Sequence, residues 1–434
     1  MGKFKVLKYN LRIKNPETRA FLKFLCHVAK NVYNNALYAL RQQYFSDKTI
    51  PTYFNLNKFM KDSEDSKIMN SFITVCINRE AHNAMSNFVY HKYKTIQLPK
   101  YLPKKGYFPL ITEDGNVLRK LIVGNKIQFP LSNLVRTGKI KEKKYEDKEV
   151  QDFLDSGNKM EYFYIKIPRV IEDKEIKRLS IIPKFDCRYF EVSFTYVDDE
   201  TDSTSEGKKG TLAIDLGINN LAACVNSENN ESFLIDGRRL KSINQYYNKQ
   251  IAYYQSRVNK HYMSKRLACL WMHRNWAVED YIYKAAKMVT EYAAKHNIKT
   301  VVVGYNKGFK DKGFTEGTNK ENAKRNQPFK QIPLARFRNR LEYLCKKSGI
   351  EFEVVNESYT SLCSFYDNEE ICKHEEYAGT RAERGLFITK DGRKINADIN
   401  GALNILRKSK TKDESVISRL MNSGVTTPMR RLVL

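Results

Sequence analysis

One stretch limits the possible folds more than any other: Thr211-Leu212-Ala213-Ile214-Asp215-Leu216-Gly217-Ile218-Asn219-Asn220-Leu221. Its apolar lead-in reads as a short buried strand. That strand runs into one aspartate. A carboxylate in so apolar a run is costly unless something pairs with it, and a divalent cation is the usual remedy. Gly217 gives the backbone room for a tight turn or for close approach by a partner. Leu221-Ala222-Ala223-Cys224-Val225 then resumes an apolar strand. Asp215 is expected at a β-hairpin in a sheet core, facing an edge where phosphate and metal could meet. The plainer reading, a strand-end aspartate that forms a turn, stands beside it at this point.

The chain after this stretch has a definite order. Phe233-Leu234-Ile235-Asp236 makes a third strand, and Arg238 to about Asn297 reads as two long helices. The first interleaves aromatic and basic residues, Tyr254 and Arg257 among them. Thr300 to Asn306 is a β-branched strand ending in Gly304. Residues 307 to 327 are polar, Lys- and Gly-rich, and expected to be mobile. Ile332 to Ser348 is a helix and Glu351 to Glu357 a strand. A loop-like insertion covers about 360 to 394, and Asn396 to Leu406 starts a last helix. Three strands followed by alternating helix and strand is the order of an RNase H-like α/β fold.

The first half reads differently. Residues 3 to 14 alternate as a strand. Asn15-Pro16-Glu17 has the cap, first-position proline and first-turn acid of a helix start, and the apolar face continues to about Phe45. Asn55 to Lys61 and Ser66 to Tyr93 read as further helices. Residues 98 to 197 turn to short alternating strands, a pattern read as a β-barrel completed by the N-terminal strand. The helices at 15–96 would then be an insertion. The acidic, polar run from Asp198 to Gly207 is a linker. Residues after about 410 are polar and basic, and a disordered tail is expected there.

Charge narrows the function. The 434 residues carry 76 Lys and Arg against 49 Asp and Glu, a net charge of +27. Such an excess points to a polyanion. No apolar run reaches about 18 residues, so no transmembrane helix is expected, and the N-terminus lacks the apolar core of a signal peptide. Nucleic acid is the polyanion these features favour. None of the eight cysteines forms a C-x-x-C pair; they read as reduced thiols of a cytoplasmic protein.

Three acids stand at element ends of the second half: Asp215, Glu357 and Asp398. In an RNase H-like sheet such ends converge on one edge. Three carboxylates there would hold two Mg²⁺ ions about 3.5–4 Å apart for phosphodiester cleavage, with Mn²⁺ as a substitute. Each acid also has an ordinary reading, as a turn former, a surface acid or a helix N-terminal carboxylate.

The residues carry a resemblance. Ala213 to Leu221, Tyr359-Thr360-Ser361-Leu362-Cys363-Ser364 and Asn396 to Ile405 resemble segments of transposon-encoded TnpB (OrfB) proteins and of the related compact type V CRISPR effectors. The first and last blocks match that family's first and third RuvC motifs. Asp280 to Lys284 is similar to the helix motif between them, and Lys100 to Lys105 to the Lys-rich entry of the wedge domain. The resemblance implies an RNA-guided DNA endonuclease. Its guide RNA would pair with one strand of double-stranded target DNA beside a short flanking motif, and a single RuvC site with Asp215, Glu357 and Asp398 as catalytic and metal residues would cut. It implies a wedge β-barrel domain at 1–14 and 97–200, a helical recognition domain at 15–96 and a linker at 201–210. A RuvC nuclease domain would occupy 211–359 and 396–410, a target-nucleic-acid-binding loop 360–395, and a basic tail 411–434. Lys100, Lys104, Lys105, Tyr254, Arg257, Lys284, Lys307, Lys310, Arg393 and Lys394 are candidate nucleic-acid contacts. A cytoplasmic, nucleoid-associated monomer is expected.

Two departures matter. Gly304 stands where the family's second motif usually has glutamate, so Glu357 is the expected replacement; a nuclease-dead RNA-guided repressor is the alternative, and a compact type V CRISPR effector a further one. Where members often have two C-x-x-C pairs, this chain offers Cys363, Cys372 and His374, and no zinc is expected.

Overall fold

The computed structural model describes residues 3–91, 97–113, 115–140, 145, 147–157, 159–198, 207–259, 262–306, 331–383 and 385–433. The chain divides into two compact units, 1–200 and 201–434.

In the first unit, β1 (Lys3–Leu11) precedes a long helix, α1 (Pro16–Asp47). The Asn15 side chain accepts from the Glu17 amide at 2.8 Å, and Pro16 takes the first turn, where its missing N–H costs nothing. Three helices follow: α2 (Tyr53–Met60), α3 (Glu64–Ile68) and α4 (Ser71–Tyr90). Periodicity alone predicts one helix from Ser66 to Tyr93. The chain breaks instead at Met69, which is extended, and Asn70 caps α4 by accepting from the Phe72 amide. Then come β2 (Leu110–Glu113), α5 (Gly115–Lys120), β3 (Ile122–Val123), β4 (Lys126–Gln128), α6 (Asn133–Thr137), α7 (Lys148–Asp155), β5 (Tyr164–Lys166), β6 (Ile176–Lys184) and β7 (Tyr189–Asp198).

The expected barrel does not form. One sheet has the order β1-β7-β6-β2 and another the order β3-β4-β5, and both are open. β1 and β2 lie at opposite edges of the four-stranded sheet, and β2 has four residues. Helix does the covering that closure would otherwise do. Phe21, Phe24 and Leu25 of α1 share one core with Phe190, Val192 and Phe194 of β7 and with Ile127 and Ile165 of the smaller sheet.

The second unit is built on a six-stranded sheet. Its strands are β8 (Lys209–Leu216), β9 (Asn220–Asn226), β10 (Ser232–Asp236), β11 (Ile298–Gly304), β12 (Glu351–Val355) and β16 (Met429–Arg431), in the order β12-β11-β8-β9-β10-β16. β8, β9 and β10 are antiparallel; β11 joins β8, β12 joins β11 and β16 joins β10 in parallel. Because side chains alternate across a strand, each face has its own core. Leu212, Ile214, Cys224, Val301 and Val303 pack against α9 (Lys265–Lys295) and α10 (Leu334–Lys347). Ala213, Ala223, Val225 and Val302 pack against α11 (Ala397–Lys408) and α12 (Glu414–Ser423). α8 (Arg238–Gln255) lies between β10 and α9 in the chain.

Two expectations are corrected here. The insertion at 360–394 holds a small sheet of β13 (Thr380–Glu383), β14 (Leu386–Ile388) and β15 (Lys394–Asn396). The basic tail is ordered into α12 and β16, and Val433 is buried. Two of its arginines pay their way through packing: Arg431 lies over the rings of Phe233 and Tyr292, at 4.2 and 4.8 Å, and Arg419 donates to the Ser227 carbonyl. Of the linker, residues 199–206 lie outside the described residues.

Candidate active site

Asp215 is set by register. It shares a strand face with Ala213, the face that receives α11. The approach is close because residue 401 is glycine: a Cβ there would lie 2.8 Å from Asp215 Oδ2. The turn after β8 is equally tight, since a Cβ on Gly217 would meet the Asn220 carbonyl oxygen at 2.5 Å.

Asp398 opens α11. Asn396 caps this helix by accepting from the Asp398 and Ile399 amides at 3.0 and 3.2 Å. The Asp398 carboxylate accepts from Asn220 Nδ2 at 2.7 Å through Oδ2, and from Arg381 at 3.3 Å through Oδ1.

Glu357 follows β12. Its amide donates to Asn306 Oδ1 at 3.2 Å, and its carbonyl accepts from the Thr360 hydroxyl at 2.8 Å. The neighbouring strand β11 ends at Gly304, paired with Val355. A side chain at 304 has no room: its Cβ would lie 2.9 Å from Ile405 Cγ1 and 3.2 Å from the Cβ of Glu357. The carbon of an acid reaching from β12 thus occupies space over the glycine.

These three acids line one cavity of about 1560 Å³, together with Asn219, Asn220, Asn306, Tyr359 and the cations Arg238, Lys241, Arg381 and Arg430. Burial is the first cause that holds the Asp215 carboxyl well above its ordinary range; the charges of Asp398 and Glu357 push it the same way, and Arg381 opposes them. Burial also raises Glu357. The site therefore gathers carboxylate and amide oxygens at one cavity, with Arg381 beside Asp398 offsetting part of the negative charge. In kind, this donor set fits Mg²⁺ or Mn²⁺. Among the described residues no group of three or more acidic, His or Cys side chains is already closed around a metal position, so a cation would have to draw these acids together.

The other sequence candidates fall elsewhere. None of the described ones lines this cavity. Lys100, Lys104 and Lys105 are exposed in the first unit. Arg257 stacks on Tyr253 at 3.5 Å, and Tyr254 carries Arg266 at 5.3 Å. Lys284 pairs with Asp280 at 2.9 Å on α9. Arg393 covers the Tyr366 ring at 4.0 Å, and Lys394 is exposed on β15. Lys307 and Lys310 lie outside the described residues. Within the insertion, Cys363 Sγ faces the Cys372 carbonyl at 3.5 Å, and Cys372 Sγ lies 3.4 Å from His374 Nε2.

Sequence reasoning missed Asn220, Lys241, Arg381 and Arg430. Asn220 carried a readable signal, a polar residue heading an otherwise apolar strand. Arg381 and Arg430 carried none, since both lie in segments without periodicity.

Comparison with known proteins agrees with the motifs. Residues 194–310 match the OrfB_IS605 family model, described as a probable transposase. Residues 335–405 match the model of the Cas12f1-like TNB domain. No curated protein matches the chain. Among solved structures, the Cas12f1 complex with sgRNA and target DNA aligns over 90% of this chain and 82% of its own, at 14% identity and a TM-score of 0.56. The mini-RNA-guided endonuclease Cas_phi3 aligns over 94% of this chain and 92% of its own, at 11% identity and a TM-score of 0.43. The chain thus has a mixed α/β, multi-domain fold similar to that of Cas12f1, and its resemblance to OrfB proteins and compact type V effectors holds in the family models as well as in the motifs.

Proposed function

We propose that this protein is an RNA-guided DNA endonuclease that cuts target DNA beside a short flanking motif, at one Mg²⁺-dependent site formed by Asp215, Glu357 and Asp398. The observation that carries the reading is the meeting of three acids, 142 and 41 positions apart in the chain, at one cavity where two of them raise the third. The strand order around Asp215 is the order expected of an RNase H-like sheet and supports reading 211–359 with 396–410 as a RuvC nuclease domain. The similarity to Cas12f1, solved with sgRNA and target DNA, supports guide RNA and double-stranded DNA as partners. On the same analogy 1–14 with 97–200 is the wedge, 15–96 the recognition domain and 360–395 the target-nucleic-acid-binding segment.

A divalent pair bound at these acids would supply an activated water and charge to stabilise the leaving oxygen. This chain's own part is to hold and aim. Asp215 and Asp398 present carboxylates from strand and helix, Glu357 reaches over Gly304, and Arg238, Lys241 and Arg430 line the wall along which a strand's phosphates would lie.

Gly304 favours a second reading, a repressor that binds guided DNA without cutting it. The test is to incubate the ribonucleoprotein with matched DNA and Mg²⁺. Glu357→Ala should cut less than about one-hundredth as fast as the unaltered protein, because loss of a ligand outweighs the tenfold to hundredfold cost of losing an outer partner. DNA binding should persist. Unchanged cutting would remove Glu357 from the site; binding without strand breaks by the unaltered protein would establish the repressor.

A further inference from the structure

We infer that Asn220 is a positioning residue that holds Asp398 for a divalent cation and contributes a neutral oxygen to that cation's surroundings; the inference rests on the nuclease reading of the same site. Asn220 heads β9 and is 8% exposed. Its Nδ2 donates to Asp398 Oδ2 at 2.7 Å. Its Oδ1 is buried and has no hydrogen-bond partner. An orphaned buried oxygen is costly, and amides usually turn to avoid one. Here turning is blocked by charge: the flipped amide would set its oxygen against the Asp398 carboxylate and lose the donated bond. The carboxylate dictates which way the amide faces, and the amide oxygen is left without a donor.

The tie works in the other direction as well. With Oδ2 engaged by Asn220, Oδ1 is the oxygen that Asp398 turns to a positive charge, and the guanidinium of Arg381 stands there at 3.3 Å. Asn220 lines the same cavity as Asp215, Glu357 and Asp398. A hard cation, or a water in its shell, is the chemistry that satisfies an amide oxygen beside carboxylates. A neutral donor is also the suitable one, since a carboxylate at position 220, against Asp398, would add to the repulsion that Asp398 and Glu357 already exert on Asp215.

The experiment is a Mn²⁺ titration of the full-length protein, followed by the electron paramagnetic resonance signal of the free ion, with Mg²⁺ competition. Four proteins are compared: unaltered, Asp215→Ala, Asn220→Ala and Asn220→Leu. Leucine keeps the branching of asparagine at Cγ without its polar atoms, so a role in packing alone predicts unaltered affinity from it. Both Asn220 variants are expected to bind Mn²⁺ about 10- to 100-fold more weakly, the range for loss of a group that orients a metal ligand. If Asp215→Ala abolishes binding while both Asn220 variants stay within threefold of the unaltered protein, the role of Asn220 is overturned and the acid site survives. If the unaltered protein and Asp215→Ala bind alike, the metal-site reading itself falls.

Discussion

At the scale of single residues, the informative position is Gly304. An acid is expected there by resemblance, and the packing disfavours one. Ile405 of α11 lies against the backbone of β11, so that even a methyl group at 304 would press on it. Glu357 follows the adjacent parallel strand by two residues, and its Cβ sits beside the same glycine. The two features belong together: an acid supplied from β12 leaves β11 free to pack its end against helix. This predicts that Gly304→Ala lowers stability by about 1–3 kcal/mol, the usual cost of overpacking, measured by urea denaturation. Combining it with Ile405→Ala should cost less than the sum of the two single changes, because the added methyl then enters the space the isoleucine leaves. Strict additivity would separate Gly304 from Ile405.

At the scale of elements, the segment 360–396 shows how a stretch without periodicity can still fold. It contains Phe365 and Phe387, both fully enclosed, but few other large apolar residues in its core. What holds it is a set of buried polar groups. Asn400 donates to the Cys363 carbonyl at 2.9 Å and accepts from the Phe365 amide at 3.0 Å. Asn404, one turn on, donates to the Thr360 and Cys363 carbonyls at 3.0 and 2.7 Å. Glu369 accepts from the Ser364 and Ala378 amides at 2.7 and 2.9 Å. The i, i+4 spacing puts both asparagines on one face of α11, where they take the place that an apolar stripe would occupy. Replacing either by leucine strands buried backbone groups and should cost about 1–3 kcal/mol. Limited proteolysis should then cut within 366–396 faster than within α9. Equal cutting rates in variant and unaltered protein would show that the insertion is held by other means.

For the whole molecule, charge is the dominant quantity. A net charge of +27 spread over 434 residues cannot be absorbed by the ion pairs, and exposed lysines and arginines occur throughout both units. Association with the nucleic-acid partners proposed above should therefore release counterions. Affinity is expected to drop by about 10³–10⁵-fold between about 50 and 200 mM salt if six to ten phosphates are contacted. A loss below tenfold would detach the charge from nucleic-acid binding. No helix among the described residues is long and apolar enough to cross a membrane. Much of the architecture was legible beforehand. Strands β8 to β12, the long helices, the cap at Asn15 and the Asp-Leu-Gly turn all follow from burial period and local hydrogen bonding, which neighbouring residues encode. Closure of a barrel, the order of the tail and the fold of the insertion were not, because they depend on which strand edges meet and on buried polar contacts between residues some 40 positions apart. The same division applies to the candidate site. Sequence by itself determined that Asp215, Glu357 and Asp398 stand at or next to the ends of their elements. Only tertiary structure, by pairing β11 between β8 and β12 and laying α11 across them through Gly401, decided that the three face one cavity, that Asn220 holds Asp398, and that an arginine from the insertion stands opposite.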